Sequence, residues 1–230
     1  MLPLRPLTPI TALAGTLALL LLAPAGALPA GAAAPLPDWS ALRPALYDLE
    51  AHLPGDPEPR SGIGFAVQGV DGIVTCLQFV QGAARVTARP VHGSPIEITE
   101  YVVHDPAADL ILLQAPAGPT RLARGTFRLL ALGQTVFAML PPPAPQAAQP
   151  VQYFATFLAS GAGELLGVAG GAPTGAVLVD SLGKVLGIVH VLSDGMTTAS
   201  AAVPIERLFA MLASPETGGP LSALAGGRAP

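Results

Sequence analysis

The segment GAPTGAVLVDSLGKVLGIV at residues 171–189 combines two β-rich runs with a short polar turn between them. Two earlier segments, IVTCLQFV at 73–80 and DPAADLILL at 105–113, are also rich in β-branched and other apolar residues. Short runs of this kind, separated by turns and without long helical patterns between them, are typical of antiparallel barrels or sandwiches. These three segments therefore predict an all-β fold.

The same segments resemble the motifs around the catalytic residues of trypsin-like serine peptidases, in particular the HtrA/Deg branch. In that branch the corresponding motifs read VTNAHVV, DP..DLALL and GNSGGALVNLNGELIGI. An ungapped alignment puts Gln78 at the position of the family's histidine, Asp109 at the aspartate and Thr174 at the serine. The resemblance thus implies the fold of a peptidase in which two of the three catalytic residues are replaced.

The resemblance extends over about residues 40–210, because three further segments follow the family pattern in the right order. They are SGIGFAVQGVDG at 61–72, LLALGQTVFAML at 129–140 and TTASAAVPIERLFAML at 197–212. The family's architecture implies two tandem six-stranded antiparallel β-barrels of the chymotrypsin type, here preceded by an N-terminal apolar helix.

The chain divides into five parts by composition and pattern. Apolar, Pro-rich and β-rich stretches succeed one another, and a Pro/Gly/Arg stretch at 115–125 marks the boundary between the barrels. The predicted parts are a signal peptide or N-terminal membrane anchor at 1–34, a linker and short helix at 35–61, the first β-barrel at 62–118, the second β-barrel with a terminal helix at 119–212, and a loose tail at 213–230.

Composition limits the classes of function. Hydrophobic residues make up 51% of the 230 residues and charged residues 11%, which disfavours disorder. The net charge is −4 and the 11 basic residues are not clustered, so no nucleic-acid surface is expected. Cys76 is the only cysteine, which excludes an intrachain disulfide. Its position at the end of a predicted strand indicates a small buried hydrophobic residue.

The N-terminus has the pattern of a targeting segment. Arg5 precedes an apolar run from Ile10 to Ala23, and no further charged side chain occurs before Asp38. Small residues that suit a cleavage site follow, which is typical of a secretory signal peptide. Residues 10–28 are also long enough to span a bilayer if they are retained. Both alternatives predict an exported protein, periplasmic or extracellular, and the second one tethers it to the membrane by residues 10–28.

Residue chemistry at the aligned triad argues against the family's mechanism. A general base must accept a proton from the nucleophile and later return it, which the amide of Gln78 cannot do near neutral pH. Thr174 has a hydroxyl, but its β-methyl adds bulk beside the oxygen, and a threonine nucleophile needs a base. Asp109 is expected to keep its orienting position, or to cap backbone amides where its strand begins.

The loop that forms the oxyanion hole in the family is also altered. It reads Ala172-Pro173-Thr174 here, and Pro173 drives Ala172 toward an extended backbone where the family's glycine turns freely. Because preorganised backbone donors often supply the largest catalytic effect, a reshaped loop is expected to weaken catalysis.

His190 is the histidine best placed to substitute for the missing base. It directly follows GIV at 187–189, at a position where the resembling family has a small residue beside the triad aspartate. The strand register predicts that its side chain faces Asp109. The alternative is a strand histidine that binds a backbone carbonyl.

Two hypotheses for function follow. The first is a catalytically inactive trypsin-like domain, not an enzyme, that acts as an exported or membrane-anchored binding or scaffold subunit. Its expected partner is a protein or a membrane protein complex. The second is a peptidase with rearranged residues that uses Thr174 with His190 and Asp109. No metal, small-molecule cofactor or nucleic acid is expected for either, since no motif with metal-ligand or phosphate-binding spacing occurs.

Overall fold

The computed structural model describes residues 36–130, 134–139, 151–156, 166–169, 172–193, 198–213 and 218–224. The predicted N-terminal apolar helix, whether signal peptide or anchor, lies outside the described residues. Within them, no helix has both the length and the apolar character needed to cross a bilayer.

The first half of the chain forms one antiparallel sheet of eight strands. The first seven are β1 Leu46–His52, β2 Arg60–Phe65, β3 Ile73–Cys76, β4 Arg85–Pro90, β5 Ile96–Ile98, β6 Glu100–Asp105 and β7 Leu110–Leu113. Later in the chain, the two-residue strand β14, Gly219–Pro220, pairs with β6 at the edge. The order is β14-β6-β7-β3-β2-β1-β4-β5.

The second half closes into a six-stranded barrel, as the family resemblance implied. Its strands are β8 Thr135–Met139, β9 Val151–Thr156, β10 Leu166–Ala169, β11 Val177–Val179, β12 Val185–Ser193 and β13 Thr198–Pro204. The order around the barrel is β10-β13-β12-β11-β8-β9. The all-β chymotrypsin-like fold is therefore confirmed, with two strands more than expected in the first sheet.

Helices are few and short. They are α1 Trp39–Leu42, α2 Leu77–Val80 and α3 Ile205–Leu212. α3 coincides with the apolar periodic segment from Ile205 to Leu212, which in the sequence predicts a short terminal helix. Asp38 caps α1 with its side chain, which accepts from the backbone of Ser40, but the helix ends after one turn.

The helical spacing of Leu42, Leu46 and Leu49 indicated a longer helix here, and that expectation is wrong. Leu46 begins strand β1, along which alternate residues are buried, and the strand pairs with both β2 and β4. Pairing on two sides satisfies the backbone groups of the strand, so tertiary structure overrides the local periodicity.

The two sheets share one apolar core. Phe65 and Leu112 of the first sheet belong to the same buried cluster as Phe137 and Ile188 of the barrel. Each sheet also has a separate interior cluster of its own. Burial of a large apolar side chain stabilises the fold by roughly 1.5–3 kcal/mol, so the shared cluster fixes one sheet against the other. The functional residues lie at this junction.

Part of the predicted loose tail is ordered against the first sheet. Gly219 and Pro220 pair with Tyr101 and Glu100, and the amide of Leu221 donates to the carbonyl of Thr99 (2.8 Å). Leu221 is fully buried in the interior cluster of that sheet. An apolar side chain that finds a complementary groove holds this segment, which its Gly- and Pro-rich composition did not indicate.

Candidate active site

The first sheet brings Asp109 to the end of β3. Cys76, the last residue of β3, pairs with Leu110, the first residue of β7, so Asp109 lies at the mouth of this strand pair. The amide of Leu77 donates to the carbonyl of Asp109 (3.1 Å). The amide of Gln78 donates to Asp109 Oδ1 (2.6 Å). One oxygen of the carboxylate is thus fixed by backbone, which leaves the other free to face the second half of the molecule.

The backbone of Asp109 is in an uncommon conformation. Its φ is +48°, and among the described residues it is the one non-glycine residue with positive φ. Aspartate and asparagine reach this left-handed region more readily than other side chains, but at some cost. Such strain persists where the surroundings enforce it, frequently at functional sites.

His190 reaches the same carboxylate from strand β12. Ile188 lies in the core shared by the two sheets, whereas Val189 lies inside the barrel, so alternation turns His190 toward the first sheet. Its Nδ1 is 2.9 Å from Asp109 Oδ2, and its side chain is only 10% exposed. The structure therefore places His190 beside Asp109, as the strand register predicted.

Thr174 lies next to this pair but forms no hydrogen bond with the imidazole of His190. Its Oγ1 accepts a hydrogen bond from the amide of Val191 (3.0 Å), the residue that follows His190. His190 Nε2 is buried and has no hydrogen-bond partner among the described residues. The imidazole therefore contacts one of its two expected partners, Asp109, and keeps its second nitrogen unsatisfied.

The loop that presents Thr174 is a tight turn. The amide of Ala176 donates to the carbonyl of Pro173 (3.3 Å), and Gly175 has a φ of +85°, a conformation that suits glycine. Ala172 is buried, and its carbonyl accepts from the hydroxyl of Ser200 (2.7 Å). The turn exposes Thr174 to solvent while its neighbours anchor the loop to the barrel.

Gln78 occupies the family's histidine position without contacting the carboxylate through its side chain. That side chain is exposed, and only its backbone amide binds Asp109. Gln78 and Thr174 both line a cavity of about 250 Å³, together with Cys76 and Ser61. The three aligned positions thus converge, with His190 added from the barrel.

Cys76 is the functional candidate that sequence reasoning missed. Its sulfur, an oxygen of Asp109 and a ring nitrogen of His190 all lie within 4.8 Å of one another. The residue is 3% exposed. Burial, and to a smaller extent the charge of Asp109, raises the pKa of this thiol far above its usual range. Its place two residues before Gln78, at the end of a strand that leads into the site, was the available indication.

Solved structures with the same fold are proteases. The HtrA-type protease AlgW superposes with a TM-score of 0.62 at 17% identity, over 75% of this chain and 60% of that one. The Rv3671c protease from M. tuberculosis in its active form gives 0.54 at 19% identity, over 77% and 83%. The MamO protease domain from Magnetospirillum magneticum gives 0.57 at 21% identity, over 74% and 96%.

These likenesses show a trypsin-like fold of the HtrA type. No protein-family model and no curated protein sequence matches this chain. The chain corresponds to 60% of the length of AlgW, so it matches only part of that protein.

The expectation that this protein is not an enzyme is wrong. It rested on the missing imidazole at Gln78, but the structure supplies an imidazole from His190, paired with Asp109 at 2.9 Å. A potential nucleophile lies beside that pair, and the solved structures that share the fold are proteases, one of them described as an active form. An imidazole is therefore present beside Asp109, although it comes from β12 and not from position 78.

Proposed function

We propose that this protein is a peptidase of trypsin-like fold with rearranged catalytic residues. His190 acts as the general base, Asp109 orients it and Thr174 supplies the nucleophilic hydroxyl. The observation that carries the proposal is the 2.9 Å contact between His190 Nδ1 and Asp109 Oδ2. Thr174, whose hydroxyl accepts from the amide that follows His190, lines a cavity with Gln78 and Cys76.

The contact with Asp109 selects the imidazole tautomer that a base requires. The 2.9 Å separation between Nδ1 and Asp109 Oδ2 favours the tautomer with the proton on Nδ1, which puts the lone pair of the neutral ring on Nε2. That nitrogen has no hydrogen-bond partner among the described residues, and its proton-accepting capacity is unused. An orienting carboxylate also stabilises the imidazolium that forms when the base takes a proton.

Thr174 becomes a nucleophile when its hydroxyl proton passes to Nε2. Its Oγ1 attacks the carbonyl carbon of the peptide, and the proton later returns from the imidazolium to the leaving amine. The amide of Val191, which already donates to Oγ1, favours the charged oxygen during attack. Oγ1 and Nε2 share no hydrogen bond in the structure, and catalytic hydrogen bonds of this kind commonly tighten only once substrate binds.

Cys76 is a poorer nucleophile than Thr174 in this setting. A cysteine attacks as its thiolate, and burial together with the charge of Asp109 raises the pKa of the Cys76 thiol. Thr174 is exposed on the turn, whereas Cys76 is 3% exposed. A substrate carbonyl therefore reaches the hydroxyl more readily than the sulfur.

We further propose that the enzyme acts outside the cytoplasm on a polypeptide partner. Residues 1–34 carry the targeting pattern, and either a cleaved signal peptide or an anchor at 10–28 directs the folded part to the exterior. Mass spectrometry of the mature N-terminus decides between them. A mature chain that lacks residues 10–28 supports a released protein. A mature chain that retains them supports a tethered one.

The catalytic proposal is tested with the purified full chain and the pair Thr174→Ala and Thr174→Ser. Hydrolysis of fluorescent casein is expected to fall by at least about 10³-fold in Thr174→Ala, because the attacking oxygen is lost. Thr174→Ser keeps that oxygen and removes the β-methyl, so its rate is expected to equal or exceed that of the natural chain.

Two results would contradict the proposal. One is an unmodified chain with no hydrolysis of casein or of short peptide esters above the buffer rate, at enzyme concentrations that detect slow turnover. The other is a Thr174→Ala variant that is as active as the natural chain, which would assign the activity to another residue or to a contaminant.

A further inference from the structure

Among the described residues, Cys76, Asp109 and His190 are the one group of three side chains arranged closely enough to hold a metal ion. Their sulfur, oxygen and nitrogen atoms lie within 4.8 Å of one another at the junction of the two sheets. We propose that they form a zinc site, and that zinc bound there reversibly inhibits the enzyme. The binding stands on the geometry alone, whereas the inhibition rests on the proposed peptidase function.

The donor set suits zinc. Thiolate, imidazole and carboxylate are the three side-chain types that bind Zn²⁺, at distances of about 2.3, 2.0 and 2.1 Å respectively. Tetrahedral coordination at those lengths puts the donor atoms about 3.3–3.6 Å apart. The Nδ1 to Oδ2 separation of 2.9 Å must open by about 0.4 Å, and a pair at the 4.8 Å limit must close by about 1.2–1.5 Å.

The second ring nitrogen of His190 is unsatisfied, which bears on the ability of this residue to act as a ligand. His190 is nine-tenths buried, yet its Nε2 has no partner within the part of the chain that the structure describes. A buried polar nitrogen without a partner is costly. When Nδ1 binds the metal, the ring proton moves to Nε2, and reorientation of the ring gives that N–H access to a carbonyl, a hydroxyl or water. The cavity of about 250 Å³ beside Cys76 gives the ion an entry path and leaves the fourth coordination position for water.

Proton balance explains how zinc would inhibit. Cys76 releases its thiol proton to solvent when it binds the ion as thiolate, and the proton on Nδ1 of His190 relocates to Nε2. One proton therefore leaves the protein for each zinc bound. With Nε2 protonated and Nδ1 on the metal, the imidazole can no longer accept the proton of Thr174. Asp109 is occupied at the same time, so the acid–base pair is lost until the metal dissociates.

Binding is tested by metal titration of the reduced full chain. One equivalent of Zn²⁺ is expected to bind, with release of one proton measured by calorimetry in buffers of different ionisation enthalpy. Co²⁺ used as the probe is expected to give the near-ultraviolet absorption of a cobalt–thiolate bond and the visible bands of a tetrahedral site. In Cys76→Ser the thiolate band must disappear, and zinc affinity must fall by at least about 100-fold.

Matched variants separate this site from surface binding and from catalysis. His92→Gln removes an exposed histidine outside the site and must leave both zinc affinity and the cobalt spectrum unchanged. Thr174→Ala removes the proposed nucleophile and must keep the cobalt–thiolate band. A chain that binds zinc with that spectrum but hydrolyses nothing would refute the peptidase and leave the metal site standing.

The metal site itself would be overturned by either of two results. One is a cobalt spectrum without a thiolate band in the natural chain. The other is zinc affinity that is equal in the natural chain and in Cys76→Ser. An active peptidase that one equivalent of zinc leaves at full rate would overturn the inhibition and leave the binding to be judged by its spectrum.

Discussion

Two strands approach Asp109 from opposite sides, and they contribute different things to it. From the first sheet, β3 leads into Gln78, whose side chain is exposed and whose backbone amide alone binds the carboxylate. From the barrel, β12 contributes the buried imidazole of His190 to the other oxygen. In the resembling peptidases the first approach carries the histidine, whereas in this chain the imidazole beside Asp109 comes from β12.

The difference shows that a His–Asp pair can form at this carboxylate without the motif that carries the histidine in the resembling peptidases. The backbone contacts that hold Asp109 in place do not depend on the side chain at position 78. A histidine could therefore be lost there without loss of the aspartate's geometry. The oxygen left facing the barrel can accept a hydrogen bond from any strand residue that points at it, and His190 is that residue.

The largest expected effect comes from removal of the imidazole. His190→Gln retains a polar side chain of similar volume but cannot accept and return a proton, so the rate of peptide hydrolysis is expected to fall by about 10⁴-fold. The measurement is kcat/KM with a fluorescent peptide. His92→Gln, at an exposed turn, serves as the control and should keep the full rate. Equal rates in His190→Gln and His92→Gln would mean that His190 is not the general base.

A smaller loss of activity is expected from Asp109→Asn. Asparagine tolerates the left-handed backbone at this position, so the substitution removes the charge without adding strain. The orienting residue of such a triad contributes less than the base, and the rate is expected to remain roughly ten- to a hundredfold above that of His190→Gln. Asp109→Ala, which adds backbone strain, should in addition lower the denaturation midpoint. A rate in Asp109→Asn equal to that of the natural chain would mean that the pair is structural.

The sequence predicted most of the fold, because short β-rich runs in a known order indicate two tandem antiparallel β-units of the chymotrypsin type even at low identity, although only the second closes into a six-stranded barrel. It also predicted that His190 faces Asp109, since alternation along a strand fixes side-chain direction once the register is known. It missed the role of Cys76, which local composition presents as an ordinary apolar strand residue. Only the pairing of β3 with β7 brings that sulfur to Asp109.

A substitution at Gly187 tests whether the position of His190 depends on the close packing of β12 against β13. A Cβ there would lie 1.9 Å from the carbonyl oxygen of Val203 on β13, a contact that no side-chain rotation relieves. Gly187→Ala is expected to lower the free energy of unfolding by about 3 kcal/mol and to displace His190 with its strand. Chemical denaturation measures the first effect and residual hydrolysis the second.

The matched control for this substitution is Gly82→Ala. Gly82 has a φ of +79°, and no atom lies within 4 Å of the point that an alanine Cβ would occupy, so alanine adds only backbone strain of about 1–2 kcal/mol. A Gly187→Ala variant no less stable than Gly82→Ala would show that β12 and β13 are not packed as closely as described.

The smallest expected effect concerns the turn that presents Asp109 from the first sheet. Asp105 accepts from the amides of Ala107 and Ala108 (2.9 and 3.1 Å), and its other oxygen accepts from Arg207 Nε on α3 (2.6 Å). Burial acts to raise the pKa of Asp105, but the guanidinium and the two amides together outweigh it and hold the pKa below its ordinary value of 3.8. The ionised carboxylate therefore stabilises the folded state.

Because the folded-state pKa of Asp105 is depressed, its contribution to stability is fully present above pH 3.8 and is lost as the pH falls through the lower folded value. The Arg207 side chain is 42% exposed, so screening limits the contribution of the pair to about 0.5–1 kcal/mol. Asp105→Asn is expected to lower the free energy of unfolding by that amount at pH 7. Below pH 3.8 the free energies of unfolding of the variant and the natural chain are expected to converge. An undiminished difference at low pH would mean that the carboxylate charge is not what holds the turn, and that Asp109 is positioned by the strand pair alone.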